Sequence, residues 1–195
     1  MSAPARTESL AELERLVAAL IARGHITEAE LATQQASTDR ASPENGARMV
    51  ARAWLNPEWR AMMLNSGTKA AEAIGVNMVG APPLGVLEDT PGRHHIVVCT
   101  LCSCYPRAVL GYPPHWYKSF SYRSRVVREP RAVMAEWGHP LPDNVELRVV
   151  DSTADFRWMV LPMRPAGTEG WTEDQLAALI TRDVLVGVAL PKLPA

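Results

Sequence analysis

An α+β fold, with a helical N-terminal arm leading into a mixed body, is predicted by three features of the chain. The first 75 residues carry helical hydrophobic period throughout, short apolar runs rich in β-branched residues follow Pro82-Pro83, and capping or turn residues stand at the boundaries. Leu10, Leu13, Leu16, Val17 and Leu20 recur at helical spacing from about Thr7 to Ala22, and Gly24 suits the left-handed residue that closes a helix. Thr27 with Glu30 is a capping-box signature for a second helix through about Ser37. Ser42-Pro43 reads as N-cap and first-turn proline of a third, running to about Leu55 before Pro57 kinks or restarts it. A further helical piece, around Thr68 to Ala73, closes at Gly75, so residues 1–75 form the expected arm.

Beyond Pro82-Pro83, Val86-Leu87 and Ile96-Val97-Val98 are strand candidates joined by the turn-forming Asp89-Thr90-Pro91-Gly92. Trp116 to Trp137 carries a helical pattern that Pro130 interrupts and Gly138 ends. Val145 to Val150 alternates as a half-buried strand does, with Phe156 to Leu161 as its expected hairpin partner, and Thr172 caps a last helix over about Glu173 to Asp183. Residues 76–195 are therefore expected to form one body. At 195 residues, with 47% apolar and 21% charged side chains, the chain can bury a real core, and no apolar run approaches the ~20 residues of a membrane span. The start shows no apolar signal region, so a cytoplasmic protein is expected. A net charge of −1 excludes the electrostatic footprint of a nucleic-acid binder, and the local cluster Arg123, Arg125, Arg128 and Arg131 reads as a solvated or subunit-facing helix flank.

The chemistry concentrates in six residues. All three cysteines fall in Cys99-Thr100-Leu101-Cys102-Ser103-Cys104, an odd number that a disulfide framework explains poorly. In Cys-x-x-Cys-x-Cys the sulfurs converge only if the backbone folds tightly around one point, which brings the intervening peptide nitrogens there as well. Thiolate softness suits several metals. Three sulfurs with deprotonated amide nitrogens of Ser103 and Cys104 would make a strong-field site for low-spin iron(III) or cobalt(III). His94 or His95 could instead complete a tetrahedral Cys₃His zinc site in a non-catalytic, zinc-stabilised module. A ferredoxin-like cluster lacks its fourth cysteine. The default reading of the two histidines themselves is an exposed pair at a strand entrance. Spacing leaves these alternatives open.

The run Val98 to Tyr105 resembles the metal claw of nitrile hydratase α subunits, and the resemblance extends over Glu88-Asp89-Thr90-Pro91, Val109-Leu110-Gly111, Pro113 to Lys118, Arg125 to Pro130, Leu161 to Thr168 and Val184 to Pro191. It implies a layered α/β/β/α metal-binding body and a catalytic subunit that hydrates a nitrile to its amide. It implies as metal ligands the sulfurs of Cys99, Cys102 and Cys104 and the backbone nitrogens of Ser103 and Cys104. A sixth position is left for water, hydroxide or substrate. Thr100 and Tyr105 match the cobalt members, which points to one cobalt(III) per chain, with iron(III) as the alternative. The resemblance further implies Cys102 as sulfinate and Cys104 as sulfenate, with Cys104 the nucleophile or base. A β-type partner subunit with neutralising arginines and a metal-loading accessory protein are implied as well. Two positions depart from the common pattern. Arg107 stands where most members carry a pocket Trp, as in the thiocyanate hydrolase γ subunit and in three-subunit members such as toyocamycin nitrile hydratase. Gly80 stands where iron members hold a pocket glutamine. A γ-type subunit of a thiocyanate hydrolase is thus the alternative function, with Arg107 as the specificity residue.

Overall fold

The computed structural model describes residues 3–194, which divide into a unit ending at Arg40 and a unit starting at Ala41. The first contains α1 (Ala3–Ala22) and α2 (Glu28–Asp39). Gly24, at φ +69°, takes the left-handed conformation expected after α1, and its N–H returns to the Ile21 carbonyl. The predicted capping box is complete: Thr27 accepts from the Glu30 N–H at 3.1 Å, and the Glu30 carboxylate accepts from the Thr27 N–H at 2.8 Å.

The second unit begins with α3 (Pro43–Leu55), α4 (Pro57–Asn65) and α5 (Gly67–Ala73). Pro57 restarts the helix, because Asn56 turns out of α3 and caps α4 through the Trp59 N–H at 2.9 Å. These three helices were counted with the arm, yet the compact body starts at residue 41. The physical reason is burial: Met49, Val50, Ala51 and Met63 are wholly inaccessible and belong to the same apolar core as the strands. Residue 75 marks a change of secondary structure within that body.

Strands β1 (Leu84–Glu88), β2 (Arg93–Val98), β3 (Glu146–Asp151) and β4 (Arg157–Leu161) form two parallel pairs, β1 with β4 and β2 with β3. The expected hairpin of β3 with β4 is therefore absent. Instead, Ser152 carries the chain from one sheet to the other: its N–H donates to the Val98 carbonyl at 2.7 Å, extending the β2–β3 ladder, and its hydroxyl accepts from the Trp158 N–H at 3.1 Å as β4 begins. Strand β4, buried over its last three residues, pairs instead with β1, buried over its first three, in a parallel register that sequence proximity does not reveal. Strand β2 packs on β4, α4 and α5 lie against β1, and α9 (Pro130–Glu136) lies against β3, so helices cover both sheets.

Between β2 and β3 run α6 (Arg107–Leu110), α7 (His115–Lys118), α8 (Phe120–Arg128) and α9. The single pattern from Trp116 to Trp137 is thus three helices, because Ser119 caps α8 through the Tyr122 N–H at 3.1 Å and Pro130 opens α9. The helix expected over Glu173 to Asp183 is likewise split into α10 (Glu173–Ala177) and α11 (Arg182–Val186). Thr181 accepts from the Val184 N–H and starts α11, a local bond that competes with helix continuation and buries Leu179 and Ile180 in the break.

His94 and His95, expected at the surface, are buried at 4% and 7% exposure because Asp89 holds both. The Asp89 carboxylate lies 2.8 Å from His94 Nδ1 and 3.0 Å from His95 Nδ1, and it accepts from the His95 N–H at 2.8 Å. On the far side of the ring, His94 Nε2 lies 2.7 Å from the Gly187 carbonyl. A carbonyl only accepts, so Nε2 carries a proton; Nδ1 faces a carboxylate, so the imidazolium satisfies both contacts. Burial alone would lower the His94 pKa, but the Asp89 hydrogen bond and charge and the Gly187 carbonyl together raise it above 6.5. Gly187 itself, at φ +85°, leaves no room for a side chain, since a Cβ would meet the His95 carbonyl oxygen.

The pH dependence follows from that direction. A histidine whose folded pKa is raised contributes stability that is complete below the unfolded pKa of about 6.5 and is lost as pH rises through the folded value. His94→Gln is expected to destabilise by about 3–5 kcal/mol below pH 6.5, the cost of breaking a buried ion pair. The gap to wild type should narrow with rising pH in urea titrations. A gap that instead widens as pH rises through about 6.5 would show that His94 is uncharged in the folded protein.

Candidate metal centre

Strand β2 ends at Val98 and delivers Cys99 into the core at 1% exposure, where the chain turns sharply through residues 100–104 before α6. The Cys102 N–H donates back to Cys99 Sγ at 3.2 Å, closing the first half of the turn. The second half brings Cys104 Sγ to 3.3 Å from Cys102 Sγ, while Cys99 Sγ lies 3.5 Å from Cys102 Sγ. All three sulfurs fall within 4.8 Å of one another, and among the described residues this is the one group of such side chains gathered closely enough to hold a metal ion. Burial is unequal. Cys99 and Cys104 are anchored in the body, whereas Cys102 is exposed and Leu101 beside it is 88% exposed.

Three soft donors already converging on one point fit a thiophilic metal with preference for sulfur, and Ser103, half-buried between two of them, sets its own and the Cys104 peptide nitrogen inside the same turn. The histidines do not extend this set, because their rings are engaged by Asp89 and Gly187. The thiols differ in acidity. Cys102 is drawn down to about 7, first by its hydrogen bond with Cys104, then by the Ser103 N–H and Cys99. Cys104 is pushed up, chiefly by burial and then by its two sulfur neighbours. Cys102 therefore gives up its proton before Cys104, and it is the exposed thiol of the three.

The turn is gripped from three elements. Asp151, last residue of β3, accepts from the Thr100 N–H at 3.0 Å and from the Thr100 hydroxyl through its second oxygen. From α8, Arg123 Nη1 donates to the Thr100 carbonyl at 3.2 Å, and Tyr122 donates to the Val97 carbonyl at 2.8 Å. From α7, the Tyr117 hydroxyl donates to the Cys104 carbonyl at 2.9 Å, and its ring meets Tyr105 edge-on at 4.9 Å. None of these partners was singled out from sequence as part of the site. Asp151 was legible only with the β2–β3 register known, and Arg123 was hidden in the basic cluster. That cluster has separate roles here: Arg125 pairs with Glu129 and Glu136, Arg128 donates to the Ser124 carbonyl, and Arg131 to carbonyls of residues 141–145.

Arg107 opens α6, is exposed, and lays its guanidinium over the Tyr112 ring at 5.5 Å. Gly80 occupies an exposed turn at φ +74°. Among the described residues no helix is long and apolar enough to cross a membrane.

The sequence profile described as "Nitrile hydratase, alpha chain" matches residues 7–189. The γ subunit of thiocyanate hydrolase from Thiobacillus thioparus is 52% identical over 161 residues, covering 77% of this chain and 66% of that subunit. The α subunit of the low-molecular-weight cobalt-containing nitrile hydratase of Rhodococcus rhodochrous is 46% identical over 189 residues, covering 96% and 91%. Among solved structures, recombinant thiocyanate hydrolase with partially modified cobalt centres superposes with a TM-score of 0.86 at 44% identity, covering 98% of this chain and 91% of that one. A double mutant of the Fe-type nitrile hydratase from Comamonas testosteroni Ni1 gives 0.87 at 38% identity, covering 100% and 97%. With its three-sulfur turn seated on the same fold, this chain belongs to the nitrile hydratase alpha-chain family.

Proposed function

We propose that the chain is the α-type catalytic subunit of a nitrile hydratase, converting a nitrile and water to the amide at a cobalt(III) ion in the turn Cys99 to Cys104. The observation that carries this reading is the convergence of three cysteine sulfurs within 4.8 Å on a turn held by Asp151, Arg123 and Tyr117. Cobalt rather than iron is supported by Thr100 and by the cobalt-containing relatives. Bound by Cys99, Cys102, Cys104 and the backbone nitrogens of Ser103 and Cys104, the ion would supply Lewis acidity at a sixth, open position.

The chain's own residues do the rest. Cys99 and Cys104 fix one side of the claw in the core, and exposed Cys102 leaves the other side open to substrate. With Cys102 as sulfinate and Cys104 as sulfenate, the Cys104 oxygen would act as nucleophile or take the proton of the attacking water. The anionic sulfur oxygens call for further cations, which a β-type partner supplies. Leu101, 88% exposed beside Cys102, offers that partner an apolar contact at the claw. A metal-loading accessory protein delivers the cobalt, and the complex works in the cytoplasm. A second reading, the γ-type subunit of a thiocyanate hydrolase, is favoured by Arg107, whose cation suits an anionic substrate, and by the 52% identical relative.

The complex expressed with cobalt should contain about one cobalt per chain, and intact mass should rise by about three oxygen atoms. Iron or zinc at that stoichiometry under cobalt sufficiency would overturn the metal assignment. Cys99→Ser, Cys102→Ser and Cys104→Ser should each abolish turnover and lower metal content at least tenfold while leaving circular dichroism unchanged. Unfolding of these variants would instead mark the metal as structural.

Substrate choice is tested at Arg107. Arg107→Trp should raise kcat/KM for small apolar nitriles about tenfold and lower it for thiocyanate and polar heteroaromatic nitriles. Equal changes for propionitrile, a purine-like nitrile and thiocyanate would remove Arg107 from the substrate pocket.

A further inference from the structure

Consecutive residues of α8 close on the two sides of Cys99. Tyr122, 4% exposed, donates to the Val97 carbonyl, and Arg123 donates to the Thr100 carbonyl, so the peptides on either side of the ligand are both held by one helix turn. Opposite α8, Asp151 takes the Thr100 N–H and hydroxyl. Thr100 thus bridges a guanidinium and a carboxylate, which hold the two successive peptide units that flank its Cα.

Arg123 differs from its helix neighbours in how its charge is spent. Arg125 is neutralised by Glu129 and Glu136, whereas the charge of Arg123 sits on an uncharged carbonyl of the claw, with its Nε–H buried and without a partner among the described residues. A buried donor left unmade costs stability, so the placement of Arg123 is held by its Nη1 contact on the Thr100 carbonyl. The planar guanidinium fixes the direction of that N–H.

We infer that Arg123 is a positioning residue of the claw, holding the Thr100 carbonyl from α8 while Asp151 holds the Thr100 N–H, so that the turn after Cys99 keeps the conformation that gathers the sulfurs. The inference rests on the reading of residues 99–104 as a metal claw. It assigns no contact with substrate to Arg123, so its effects run through the ligands.

The test compares Arg123→Ala and Arg123→Lys with Arg128→Ala, a control one turn further along α8, in the cobalt-loaded complex and in metal-free protein. In the complex, Arg123→Ala should speed cobalt loss to a chelator at least tenfold, shift the sulfur-to-metal charge-transfer band, and lower kcat with little change in KM. Arg123→Lys, which keeps a donor but loses the fork, should recover much of the metal retention. In metal-free protein, hydrogen exchange at the Thr100 and Cys102 amides, which donate to Asp151 and to Cys99 Sγ within the turn, should speed about tenfold in Arg123→Ala and stay at wild type in Arg128→Ala. A variant with lowered Tm but wild-type metal loss, band position and exchange at these two amides would overturn the inference and leave Arg123 a mere helix tether. If wild type itself takes up no cobalt, the proposed function fails, and the metal-free exchange still decides the role of Arg123.

Discussion

Strands β2 and β3 run parallel from the pair Arg93 and Glu146 to the pair Val98 and Asp151, and this register is the constraint on which the claw depends. It places a carboxylate level with the last residue of β2, where the chain must leave the sheet and turn. Asp151 then accepts both donors of Thr100 and substitutes for the next rung of the ladder. A slip of one residue would send the Asp151 side chain to the opposite face and leave the Thr100 donors unmatched. The turn that follows, and with it the convergence of the sulfurs, starts from this joint.

The grip is asymmetric, and the asymmetry has chemical use. Cys99 and Cys104 are buried and tied to β2, α7 and α8 through neighbouring carbonyls, whereas Cys102 stands exposed with its thiol made more acidic by its neighbours. A metal site built this way has a buried floor and an accessible side, which suits catalysis better than the closed coordination of a structural site. Leu101, next to Cys102, is exposed on that side.

The body beneath has its own fixed point. Asp89 draws His94 and His95 into the core, and His94 reaches the Gly187 carbonyl at the end of α11. The entry of β2 is thereby locked to the last helix, with Gly187 packed directly against the His95 carbonyl. Because β2 is pinned at its start by this pair and at its end by Asp151, Tyr122 and Ser152, the position of Cys99 is determined over the whole length of the strand.

Local signals were legible in the sequence because they act over a few residues: the capping box at Thr27, the proline starts at Pro43 and Pro57, the strand cores at Val86 and Ile96, and the three cysteines whose spacing forces their sulfurs together. The sequence by itself thus determined the α+β class and the metal-binding turn. What it left open depends on residues far apart in the chain. Strand partnership joins β1 to β4 across all the chain that runs between Glu88 and Arg157, the boundary at residue 41 required knowing that Met49 and Val50 are core, and the burial of His94 required Asp89 and Gly187 to meet around it. The same holds for the surroundings of the claw. Asp151 and Arg123 read as ordinary surface charges until the β2–β3 register and the approach of α8 bring them to Thr100, since a side chain's role at a site is set by what tertiary packing places against it.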